Sequence, residues 1–88
     1  MSSELLSLPW YLPEDYATLR AAMEDGDKMP ATFEGWIPSA TQIEGELKRL
    51  GRSTRRVIIR PEPFLTWCQA NGLAPNGAAR HAYAKAAE

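Results

Sequence analysis

Four arginines crowd into nine residues of this chain: Arg52, Arg55, Arg56 and Arg60. They precede and bracket the apolar triplet Val57-Ile58-Ile59. A guanidinium is a planar fork of donors that suits carboxylates, phosphates and base edges, so this spacing points to recognition of an anion. Other chemistries fail on residue count or spacing. Cys68 and His81 are the only residues of their kinds. One of each falls short of a zinc site, and a nucleophilic thiol needs a base oriented by a third group. Cys68 shares an apolar stripe with Phe64 and Leu65 and reads as a small buried hydrophobe. Asp25-Gly26-Asp27 opens like a calcium loop, but the twelfth position is Trp36, where a bidentate Glu is required. Glu14 and Asp15 read as carboxylates that complement a helix dipole before they read as an acid/base pair. No glycine-rich loop cradles a phosphate. The expectation is a protein that is not an enzyme, with no metal and no cofactor.

The charges are sorted by half. Residues 1–47 hold nine acids against two bases, a net of −7; residues 48–88 hold eight bases against two acids, a net of +6. The overall −1 conceals that split. Sign asymmetry of this kind suggests a charged partner, or two halves that neutralise each other.

With 88 residues, 44% hydrophobic and 24% charged, the composition is that of a single globular domain. Such a chain buries only about 60–65% of its unfolded surface, so its core is small. One cysteine excludes an internal disulfide and fits a reducing, cytoplasmic setting. The start of the chain lacks the basic segment of a signal peptide, and no stretch approaches the roughly 18 apolar residues of a membrane span.

Residues 1–12 read as an apolar arm that must pack on something. Residues 13–51 read as an acidic helical half, and 52–88 as a basic strand-helix-helix half. A helix starts at Pro13, a favoured first helical position, with Leu12, Tyr16, Leu19 and Met23 on one stripe and Gly26 beyond its end. Thr32 is the N-cap of the next segment, where Phe33, Trp36, Ile37, Ala40, Ile43, Leu47 and Leu50 keep helical spacing. Pro38 lies inside it. Either a long helix kinks there, or a turn precedes a helix capped by Thr41 and Glu44; the unbroken stripe favours the first. Gly51 stops it. Arg55–Arg60 is the one strand, with β-branched residues at its centre. Pro61–Asn71 forms a third helix, and a fourth runs from Pro75 or Asn76 towards Glu88. Trp10, Trp36 and Trp67 are expected core anchors. The expected fold is mostly helical α+β, four helices and one strand in the order α-α-β-α-α.

A lone strand leaves its backbone donors and acceptors unpaired. Either the arm around Leu5–Leu8 pairs with it, or it pairs with its own copy across a two-fold axis and forms a homodimer through Arg55–Arg60. Pro9 weakens the arm as a strand, which tips the balance slightly to the dimer.

Residues 55–88 resemble a ribbon-helix-helix domain of the antitoxin-like kind. The likeness lies in the order strand, Pro61-Glu62, helix, Asn71-Gly72, helix, and covers under half of the chain. The whole chain is also similar to small uncharacterised bacterial proteins with an aromatic-rich helix, a strand and a helix bearing Trp67-Cys68. The first resemblance implies a dimeric DNA-binding regulator whose paired strands enter the major groove. Arg56, Ile58 and Arg60 would then face the bases, with Val57 and Ile59 towards the core. Arg52, Arg55 and Arg80 would contact phosphates, and Asn76 with Gly77 would offer a helix N-terminus to one. The alternative is a protein-interaction or structural module in which carboxylates such as Glu44 or Glu46 reach Arg56 and Arg60, so that the charge split is internal.

Overall fold

A computed structural model describes residues 5–87. The element order is β1 (Leu5–Trp10), α1 (Pro13–Ala22), a 3-10 turn (Gly26–Lys28), α2 (Phe33–Arg49), β2 (Ser53–Ile58), α3 (Pro61–Ala70) and α4 (Gly77–Ala86). The expected order lacked its first element. The apolar arm is a strand, and β2 is not alone: β1 and β2 pair in parallel, from Leu5 opposite Ser53 to Trp10 opposite Ile58. Parallel neighbours need a long crossover, which α1 and α2 supply. The partner of β2 is therefore its own chain, and the pairing expected across a homodimer is taken, on one edge, by β1.

Pro9 is tolerated for a reason fixed by ladder phase. The Ile59 N–H donates to the Trp10 carbonyl at 2.8 Å. In a parallel ladder this turns the backbone groups of Leu6, Leu8 and Trp10 towards β2, and those of alternate residues outwards. Pro9 is an alternate residue, so the N–H that proline lacks would have pointed away from the ladder.

The two faces of the sheet are covered differently. Val57 and Ile59 are buried on one side, Ile59 in a core with Tyr11, Tyr16, Leu19, Phe64 and Cys68. On the other side Trp10 meets Trp36 of α2 edge-on at 5.1 Å. Tyr11 lies 4.6 Å from the same indole, and the three rings close that end of α2 over β1. Trp10 is buried, whereas Trp36 and Trp67 are partly buried and pack against the core.

Helix ends follow local chemistry. Pro13 and Pro61 occupy first turns beside Glu14 with Asp15 and beside Glu62. Thr32 caps α2 by accepting from the Gly35 N–H at 3.1 Å. α2 runs unbroken through Pro38, and the second cap does not form: the Thr41 hydroxyl donates back to the Ile37 and Pro38 carbonyls. The acceptor that Pro38 deprives is the carbonyl of Glu34, an exposed residue that water can serve. α1 ends at Ala22, short of Gly26. Gly26 is needed instead for close approach: a Cβ there would lie 2.1 Å from the Arg20 carbonyl oxygen. Gly51 and Gly72, at φ +82° and +65°, end α2 and α3.

Candidate functional site

The arginines singled out by the sequence divide into two groups. Three are bound to carboxylates of the acidic half. Arg56 donates from Nε and Nη2 to both oxygens of Glu44, each at 2.8 Å, and its guanidinium lies 4.0 Å above the centre of the Trp10 ring. Strand alternation puts Arg56 beside Trp10 on the α2 face, and Glu44 is the one buried charged residue among those described. The fork matches the carboxylate bidentately. Arg56 holds the Glu44 carboxyl below its usual range, and Glu44 in turn raises the Arg56 pKa. Arg60, just past β2, donates from Nε to Asp15 at the start of α1. Arg80 on α4 reaches Asp25 with Nη1 at 3.0 Å, and this bond lowers the Asp25 pKa.

The helix terminus expected to hold a phosphate is occupied from within. Asn76 caps α4 by accepting from the Ala79 N–H at 3.0 Å, while its amide donates to Glu24 at 3.1 Å. The Gly77 N–H donates to Asp25 Oδ2 at 3.2 Å. Asp25 is thus the anion at this positive helix end.

The second group is not neutralised. Arg52 and Arg55 are exposed; Arg55 donates to the Ala87 carbonyl at 3.0 Å, which joins β2 to the end of α4. Lys48 and Arg49 close α2, and Lys85 lies in the last turn of α4. Among the described residues none of these five is in a salt bridge with a carboxylate, although the Lys48 charge is near enough to help lower the Glu44 pKa. They gather at the end of the sheet where β2 begins. Subtracting the three ion pairs from the eight basic residues of 48–88 therefore leaves five, near one end of the sheet.

Ile58 is 39% exposed and Leu50, in the turn before β2, is 77% exposed. Both flank β2, whose second edge has no strand beside it among the described residues. Along the other edge of the sheet a groove of about 510 Å³ follows β1 between α2 and α4. Its walls are apolar (Pro9, Trp10, Trp36 and Ile43), with Arg80 and His81 at the α4 side. Arg80 is already engaged by Asp25.

Burial pushes the Cys68 thiol pKa up, the reverse of what a nucleophilic thiolate needs. Among the described residues no group of three His, Cys, Asp or Glu side chains converges on a metal position, and no helix is long and apolar enough to cross a membrane. No family model, curated protein or solved structure matches this chain.

Sequence reasoning named Glu44 as a partner for these arginines. It missed Asp15 and Asp25, which lie 45 and 55 residues from Arg60 and Arg80. Only the sign split hinted at such pairs, and a sign split carries no addresses.

Proposed function

We propose that this chain is a protein-interaction module with no nucleic-acid or catalytic role. The observation that supports this reading is the fate of Arg56, Arg60 and Arg80. Each is committed to a carboxylate of the acidic half, and the groove-reading role would require Arg56 to give up two charge-assisted bonds and the Trp10 face. Base contacts specify a DNA site, whereas phosphate contacts alone only position a protein. The buried, unpaired Cys68 fits a reducing compartment, and we place the protein in the cytoplasm.

The competing reading is a ribbon-helix-helix-like regulator of bacterial type. The uncompensated end around Arg52 and Arg55 favours it, because exposed basic clusters attract phosphate. Fluorescence anisotropy with labelled duplex DNA, titrated with salt, separates the two. The expected result is no retention even at low salt. Retention that weakens by about 0.9 log units per log unit of salt for each contacted phosphate would establish the DNA reading.

A further inference from the structure

We infer that the outer edge of β2 is a docking site for an acidic, extended segment of another protein, which adds to the sheet as a third strand. This rests on the protein-interaction reading and gives it a surface and a partner chemistry.

The ladder phase determines which groups are available. Since Ile59 donates to Trp10, residues 53, 55, 57 and 59 turn their backbone groups to β1, and Thr54, Arg56 and Ile58 turn theirs outwards. Those three residues offer three N–H donors and three carbonyls in a row, and no described residue is bonded to them. An open edge templates strand pairing and is blunted by proline, a bulge, a covering element, shortness or charged side chains; on this six-residue strand the charges select an acidic partner over indiscriminate pairing. β2 contains no proline and its register with β1 is unbroken. Main-chain pairing along such an edge supplies affinity, and the flanking side chains supply selectivity.

The flanking side chains select for negative charge. Arg52 and Arg55 stand at the start of the edge, with Lys48 and Arg49 closing the helix before it, and among the described residues none of the four is in a salt bridge with a carboxylate. Arg56 and Arg60 add no free charge, because Glu44 and Asp15 hold them. The far end of the edge is apolar through Ile58. The partner therefore needs carboxylates opposite the basic end and an apolar residue opposite Ile58. A second copy fits poorly, since antiparallel self-pairing sets Arg52 and Arg55 of one copy against the apolar far end of the other and supplies them with no carboxylate. A segment of alternating acidic and β-branched residues meets both requirements.

The test uses the full chain and a short synthetic peptide of alternating Glu and Val, with a Lys–Val peptide as control. Amide hydrogen exchange and NMR shifts report the edge directly. The Glu–Val peptide should bind, protect the N–H groups of Thr54, Arg56 and Ile58, and weaken with salt; the control should not bind. Thr54→Pro removes one outward donor while leaving the β1 ladder intact, and should lower affinity by about tenfold. Arg52→Glu with Arg55→Glu should exchange the preference between the two peptides. Thermal melts confirm that each variant is folded. Failure of the acidic peptide to protect these amides, or binding unmoved by Thr54→Pro in a folded variant, overturns the inference and leaves the broader reading standing. Protection of the same amides by self-association would overturn it in favour of a second copy. Retention of duplex DNA would overturn the broader reading as well.

Discussion

The Arg56–Glu44 pair should behave as a structural clamp, and a double-mutant cycle measures that. A fully exposed ion pair contributes about 0.2–1 kcal/mol, while removing one partner of a fully buried pair costs about 3–5 kcal/mol. Here the arginine side chain is 48% exposed and the glutamate 11%, so solvent screens one partner and not the other. Arg56→Ala leaves an enclosed carboxylate without its two bonds and uncovers the Trp10 ring. We expect a loss of about 2 kcal/mol, with about 1 kcal/mol of it appearing as coupling to Glu44→Ala. For a chain of this size that is a fall in Tm of roughly 10 °C. Urea unfolding followed by tryptophan fluorescence suits the measurement, because Trp10 lies beneath the guanidinium. The pH dependence has a definite sign. The Glu44 carboxyl is held below its ordinary value of 4.5, so its contribution is present above that value and disappears as pH falls through the lower folded value. Coupling below about 0.3 kcal/mol at neutral pH and low salt, smaller than neighbouring sites ordinarily show, would refute the clamp. So would coupling that survives full protonation of Glu44.

Burial raises the Tyr11 phenol from 10.0 to about 12; because the neutral form is favoured in the fold, roughly 3 kcal/mol of stability present below pH 10 is lost as pH climbs through 12. Tyr11→Phe should shift the alkaline unfolding midpoint upwards, and an unchanged midpoint would show that the phenol is not responsible. Gly26→Ala would drive a Cβ against the Arg20 carbonyl and should cost about 2 kcal/mol or more in a thermal melt; a wild-type Tm would contradict the close approach. Thr54 carries an enclosed hydroxyl with no hydrogen-bond partner, so Thr54→Val should be neutral or stabilise by up to about 1 kcal/mol in urea unfolding. A clear loss would mean that the hydroxyl is satisfied in solution.

The helices were legible because their signals are local. Proline at the first turn, threonine as N-cap and glycine at positive φ act within a few residues, and α1 to α4 begin where such signals stand. The burial of Val57 and Ile59 followed from the period of two. β1 was legible only as one of two partners open to the central strand, and the less favoured one. Leu5, Leu6, Leu8 and Trp10 are not β-branched, and Pro9 argues against a ladder until its phase is known. That phase depends on β2, far along the chain. The same non-locality hid Asp15 and Asp25 as arginine partners, and the likeness of residues 55–88 to a strand-helix-helix unit put a second copy beside the strand, where β1 lies on one edge. Glu44 was legible as a partner because it stands 12 residues from Arg56, on the helix that leads into the strand.

The parallel pairing of β1 with β2 also sets an order of events. Leu5 must meet Ser53, so the sheet closes a loop of nearly fifty residues, whose entropy cost grows with the logarithm of loop length and must be met before the contact rewards it. During synthesis β1 leaves the ribosome first and has no partner until β2 has followed. Through that interval Trp10 and its neighbouring leucines are uncovered, with only α1 and α2 able to shield them. Nucleation is then expected in the helical crossover, with strand pairing late, so substitutions in β1 should speed unfolding more than they slow folding.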